Sequence, residues 1–200
     1  MKLRTTLPFL ALLIGPIASQ AQRPSRSGLG YMGGPQAATW RSEAVNYRPV
    51  PGAVAGIYVP IWAGNRVEIQ PELLLSLQGA ARDLPDGERS TMRSLHATVP
   101  VSLKIFLNRT INLQAGVQGS YLLLAKTEGK DITDELSPLD MGLNVGIGLG
   151  TNNGVDFTLR YFSGLSNTLA EDHTTYPSNR TLQFTVGYRF MQFARGRQRN

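Results

Sequence analysis

The sequence predicts an all-β fold, an eight-stranded antiparallel up-and-down transmembrane β-barrel preceded by a cleaved signal peptide. Three observations carry that prediction. Apolar residues recur at every second position in one segment after another from residue 67 onward. Short turns rich in Gly and Asn alternate with longer polar links. Charged residues make up only 17% of the 200 residues while hydrophobic ones reach a moderate 42%, whereas a water-soluble domain carries about 25% charge. A chain of this length allows one domain, and its apolar content and modest net charge argue against disorder. With no cysteine there is no disulfide scaffold, no thiolate zinc site and no thiol nucleophile.

Lys2 and Arg4 open the chain, residues 7–14 form an apolar run ended by Gly15-Pro16, and Ser19-Gln20-Ala21 supplies the small residues of a cleavage site. This is the layout of a secretory signal; the run is too short for a spanning helix, which needs ~20 residues. The expected division is a signal peptide over 1–21, a short N-terminal segment over 22–27, the barrel over 28–190 and a basic tail over 191–200. The formal charge of +6 falls to +4 without Lys2 and Arg4, and to +1 without Arg195, Arg197 and Arg199 as well. Basicity therefore sits at the ends, no basic stripe crosses the body, and nucleic acid is not an expected partner.

Residues 28–34 form a weak first strand, and 53–62 a second that is apolar on both faces. Residues 67–78 are the clearest strand. Val67, Ile69, Pro71, Leu73, Leu75 and Leu77 share one face, opposite Glu68, Gln70, Glu72, Ser76 and Gln78, with Leu74 the lone apolar intruder. A period of two sustained this long is a strand, since helical spacing gives no apolar stripe here. The same alternation runs through residues 95–107, 111–121, 141–149, 155–161 and 182–190. Links at 63–65, 108–110 and 151–154 are short turns,. Those at about 35–51, 80–93, 127–139 and 166–180 are longer and polar. Short turns on one rim and long loops on the other describe an up-and-down barrel with periplasmic turns and extracellular loops, both chain ends lying on the periplasmic rim.

Parity alone does not say which face points outward. A soluble lipocalin-like carrier would fold the apolar face around a ligand, whereas a membrane barrel turns it to lipid. Composition favours the membrane. The apolar face carries no charge, while the other is rich in Gly, Ser, Thr, Asn and Gln with a few charges of both signs. Glu68, Glu72, Asp140 and Asp156 face Lys104, Arg160 and Arg189 in the expected lumen charge network, with Lys126 near a loop as the fourth cation. A narrow lumen suits small residues and paired charges. Within this network Glu72 and Lys104 are expected to pair at similar depth, with Arg160 and Asp156 beside them. Tyr121, Tyr161, Tyr188 and Phe190 are candidates for interfacial girdles,.

No catalytic, cofactor or metal residue is expected. Glu171-Asp172-His173 reads as a solvated loop cluster, because a catalytic set needs a base, an orienting group and a reacting position together. His96 has lumen parity and is expected to be hydrogen-bonded. Two histidines and no cysteine make a transition-metal site improbable. Asp131, Asp134 and Glu135 lack the glycine of a calcium loop,. Gly142, Gly146, Gly148 and Gly150 recur with strand period, which indicates lumen packing rather than a phosphate loop.

Several segments resemble the PorT-like outer-membrane β-barrel family. Residues 70–79, QPELLLSLQG, resemble its third-strand motif, and Val99-Pro100-Val101-Ser102-Leu103-Lys104 is similar to its fourth-strand P-x-x-x-K pattern. Residues 116–126 resemble its fifth strand, Arg160-Tyr161-Phe162-Ser163-Gly164-Leu165-Ser166-Asn167 its R-Y-x-x-G-L-x-N motif, and Val186-Gly187-Tyr188-Arg189-Phe190 its closing strand. The likeness runs from about residue 28 to 190. It implies a small outer-membrane barrel without an assigned reaction, whose namesake serves a protein-secretion apparatus. The chain departs from such barrels at its end, where Phe190 is followed by the basic tail instead of closing the chain.

The expected role is structural or interactive, in the cell envelope and as an accessory of a secretion assembly. Expected partners are outer-membrane lipid, the barrel-assembly machinery during insertion, and envelope or secretion proteins. A narrow pore is the alternative, since an eight-strand lumen is normally filled by side chains and excludes a general porin. A membrane-embedded hydrolase and a lipocalin-like carrier stand behind both.

Overall fold

A computed structural model describes residues 27–42, 45–63, 66–84, 87–166, 168 and 177–193. Residues 1–21, where a signal peptide is expected, the Glu171-Asp172-His173 cluster and Arg195, Arg197 and Arg199 lie outside the described residues.

Eight long strands and two short ones follow in order: β1 Gly28–Arg41, β2 Tyr47–Tyr58, β3 Ile61–Trp62, β4 Val67–Asp83, β5 Arg89–Phe106, β6 Ile111–Thr127, β7 Lys130–Asp131, β8 Leu139–Gly150, β9 Val155–Gly164 and β10 Ser178–Gln192. Each long strand pairs antiparallel with its neighbours, and β1 pairs with β10, so the sheet closes into a ring of eight. Closure leaves no edge whose backbone groups would go unpaired in lipid. β3 extends the β2 side onto β4, and β7 folds back on β6. The β6–β7 turn uses Glu128 (φ 52°) and Gly129 (φ 85°), the left-handed pair that a two-residue hairpin requires.

The strands run further than apolar alternation reveals. The link expected over 35–51 shrinks to 42–46, and that over 80–93 to 84–88. The ladder continues there, but its outward side chains turn polar, so the apolar signal ends while the pairing does not. The prolines of this region sit where the ladder is interrupted. Pro35 pairs with Ala53 of β2 but, with Gly34, falls in a gap of the β1–β10 pairing, the register being the same on either side of it. Pro49 borders the irregularity between β2 and β4, and Pro51 lies within it. A residue without an N–H is tolerated at such places. The second strand begins at Tyr47 and stops at Tyr58, with residues 61–62 separate, and the last strand continues two residues past 190.

Burial follows the alternation. Outward residues such as Leu73, Leu75, Val101, Leu103, Val117, Leu143, Val145 and Leu159 are exposed, forming an apolar belt. Their inward neighbours Gln70, Glu72, Ser76, Ser102, Gln118, Asn144 and Arg160 are buried. The fold is thus turned inside out relative to a water-soluble barrel.

Candidate functional site in the barrel lumen

The lumen is built in layers from the inward positions of all eight long strands. At the short-turn rim Trp62 of β3 stacks on Phe106 of β5, ring centroids 4.9 Å apart. Above them lies a cluster of charges. Lys104 Nζ stands 3.7 Å from Glu68 Oε1, and Arg189 reaches Glu68 Oε2 at 3.4 Å and Asp156 Oδ2 at 3.6 Å. The Tyr58 hydroxyl donates to Asp156 Oδ2 at 3.2 Å. Its ring fills space left by Gly30 and Gly187, where an added Cβ would meet that ring.

The middle layer is a fork. Arg160 donates from two nitrogens to both oxygens of Glu72, at 2.6 and 2.7 Å, and also to Gln114 Oε1 at 3.2 Å. Gln70 Nε2 adds a third hydrogen bond to Glu72 at 2.7 Å. A bidentate guanidinium–carboxylate pair with further hydrogen bonds is the arrangement in which two buried ions compensate their lost hydration.

Neutral amides and hydroxyls occupy the next layer. Gln36 Nε2 donates to Ser76 Oγ at 2.8 Å and to Leu77 O at 2.7 Å, while its oxygen accepts from Gln183 at 3.0 Å. Gln78 donates to Ser76 and accepts from Asn179. Beside them, Met32, Val54, Tyr58 and Leu74 form an apolar cluster inside the lumen, which accounts for the inward Leu74.

The long-loop mouth is closed by the β6–β8 link. Its 3₁₀ turn Thr133–Glu135 carries Leu136 inward against Met92, Leu122 and Ala125, with Trp40 and Ile132 alongside. Asp131 accepts from the Thr133 hydroxyl at 2.6 Å and from its N–H at 2.9 Å. These two bonds hold the Asp131 carboxyl below its ordinary range. Its carboxylate therefore shapes the turn, and Asp134 and Glu135 are exposed beside it. A recess of about 300 Å³ remains, lined in part by Trp40, Tyr47, Arg82, Met92 and Glu135.

Of the seven residues expected in one network, the structure groups Glu68, Lys104, Asp156 and Arg189 in one layer and Glu72 with Arg160 in another. Asp140 lies near the mouth, beside His96 and Asn179. The expected Glu72–Lys104 pair is replaced. The β4–β5 register sets Lys104 opposite Glu68, four residues from Glu72, and Glu72 reaches across the lumen to β9. Lys126 faces outward and not into the lumen, because Ala125 and Thr127 take the inward positions. His96 Nε2 lies 2.9 Å from Ser94 Oγ. Sequence reasoning missed the buried Tyr58 and Phe162 and the closing role of Leu136. Strand β2 is apolar on both faces and hides Tyr58, whereas the inward glutamines were visible through their parity.

No curated protein sequence matches the chain significantly. Solved structures share its architecture. Neisserial surface protein A superimposes with a TM-score of 0.56 at 13% identity, over 84% of this chain and 100% of that one. Ail, the attachment invasion locus protein of Yersinia pestis, does so with a TM-score of 0.50 at 12% identity, over 82% and 99%. At such identity the likeness concerns the fold alone. Residues 18–170, well over half of the sequence, match the family described as outer membrane protein beta-barrel domain; with its closed ring and apolar outer belt, the chain belongs to that family and resides in the outer membrane.

Proposed function

We propose that the protein is a non-conducting envelope scaffold, whose long-hairpin rim and mouth serve as a contact surface for other envelope proteins, secretion components among them. The observation that carries this reading is the filling of the lumen. Large side chains from Trp62 and Phe106 through Tyr58, the Arg160–Glu72 fork and the glutamine layer to Leu136 occupy it from rim to rim. Such a filling supports a role carried by surfaces rather than by passage. The PorT-like motifs support a secretion assembly as the setting, and no constellation among the described residues favours hydrolysis.

Planar-bilayer recording of the purified protein tests the first half: no steady conductance is expected, and regular unitary steps would favour the narrow pore. A tagged protein cross-linked in native envelopes and recovered tests the second. Secretion-machinery subunits are expected among the products, and recovery of the monomer alone would count against the assembly role.

A further inference from the structure

The outward wall changes character at the long-hairpin rim. Along β10, β1, β2, β5 and β6, Arg180, Arg41, Arg48, Arg89, Arg93 and Lys126 occupy this part of it. Their outward direction follows from their neighbours. Asn179 and Thr181 flank Arg180, Met92 and Ser94 flank Arg93, and all four are buried in the lumen. Arg93, Lys126 and Arg180 each stand two residues, one outward position, beyond the belt residues Leu95, Leu124 and Leu182. The collar therefore begins where the apolar belt ends.

Its charge is only partly compensated. Asp83 serves both Arg48, at 2.7 Å, and Arg89, at 3.5 Å. Arg180 donates to the Tyr161 hydroxyl at 2.8 Å, a neutral partner. Among the described residues no carboxylate lies within salt-bridge distance of Arg41, Arg93 or Arg180. Arg93 and Lys126 face each other directly across the β5–β6 pairing, a like-charge juxtaposition that destabilises a sheet unless an anion sits between them. Asp131, across from Lys126 on β7, attracts that ammonium from beyond salt-bridge distance while its Oδ1 binds Thr133, so it compensates Lys126 in part and leaves Arg93 without a carboxylate among the described residues. At the other rim β1 and β10 end outward in Tyr31, Tyr188 and Phe190, with the Tyr31 ring centroid 5.8 and 5.9 Å from those of the other two, and the exposed Arg66 and Arg109 belong to its short turns.

We propose that this collar binds the phosphate groups of the glycolipid in the outer leaflet of the outer membrane, with the Arg93–Lys126 pair as the main phosphate site and Arg180 with Arg41 as a second contact. The chemistry is that of phosphate recognition, a guanidinium offering paired donors and an ammonium adding charge. The height is that of a lipid headgroup, one step above the apolar belt. The inference depends on the membrane location and not on the interaction role proposed above.

The test titrates the purified protein in dodecyl maltoside micelles with bisphosphorylated lipid A, with lipid A stripped of both phosphates, and with inorganic phosphate, following the unfolding temperature. A rise with bisphosphorylated lipid A alone is expected, with apparent affinity about tenfold weaker in Arg93→Ser/Lys126→Ser and unchanged in Arg66→Ser on the opposite rim. An equal rise with the stripped lipid or with inorganic phosphate overturns the proposal, as does unchanged affinity in the double variant. Should that variant fail to fold, the unmodified protein is titrated at high salt. A marked loss of affinity supports the phosphate contact, and salt-independent affinity overturns it.

Discussion

Arg160 and Lys104 are both buried cations of the lumen, yet their loss should differ. Arg160 is the sole cationic partner within salt-bridge distance of Glu72 among the described residues, through both oxygens, whereas Glu68 is shared by Lys104 and Arg189. Replacing Arg160 by Met strands a carboxylate that is fully buried, at a cost of about 3–5 kcal/mol. Lys104→Met leaves Glu68 a guanidinium at 3.4 Å, so a clearly smaller loss is expected. Thermal unfolding in detergent measures both. Adding Glu72→Gln to Arg160→Met should recover much of the loss, because it removes the stranded charge. Equal losses from the two single variants would show that the fork holds the barrel no more firmly than the looser cluster below it.

Among the elements, the strands divide their energetics by face. Val145 lies on the exposed outward side of β8, paired with Ala115 and Tyr161, while Asn144 beside it is buried and accepts from Ser102. An arginine at position 145 would place a charge in lipid near the middle of the belt, at a cost of about 2–4 kcal/mol. Refolding into lipid vesicles under denaturant titration should show that loss for Val145→Arg. The same substitution at Thr91, outward at the polar rim opposite Ala81, should cost little. Comparable losses at the two positions would contradict the belt.

For the whole molecule, the consequence of closure is cooperative resistance. Every long strand is paired on both sides, and the lumen ties β1, β4, β9 and β10 together through side chains. The unheated protein in dodecyl sulfate should stay folded and migrate differently from the boiled one, in the outer-membrane fraction. Identical migration with recovery in the soluble fraction would refute the membrane barrel.

The alternation of residues such as Leu73, Leu75 and Leu77 with Glu72, Ser76 and Gln78 determined the strand class and the two faces, and the composition of those faces determined the inward direction of the charges. A period of two is a local property, so it can be read without knowing which strands are neighbours. Strand ends were less legible, because Thr39, Arg41, Arg48 and Thr91 continue the ladder without an apolar mark. Only the tertiary structure decided which charge meets which. The stagger around the closed ring carries Arg160 of β9 to Glu72 of β4, 88 residues away, and sets Lys104 against Glu68. That stagger is a property of the ring as a whole, shared among all its strands, so no segment of sequence contains it.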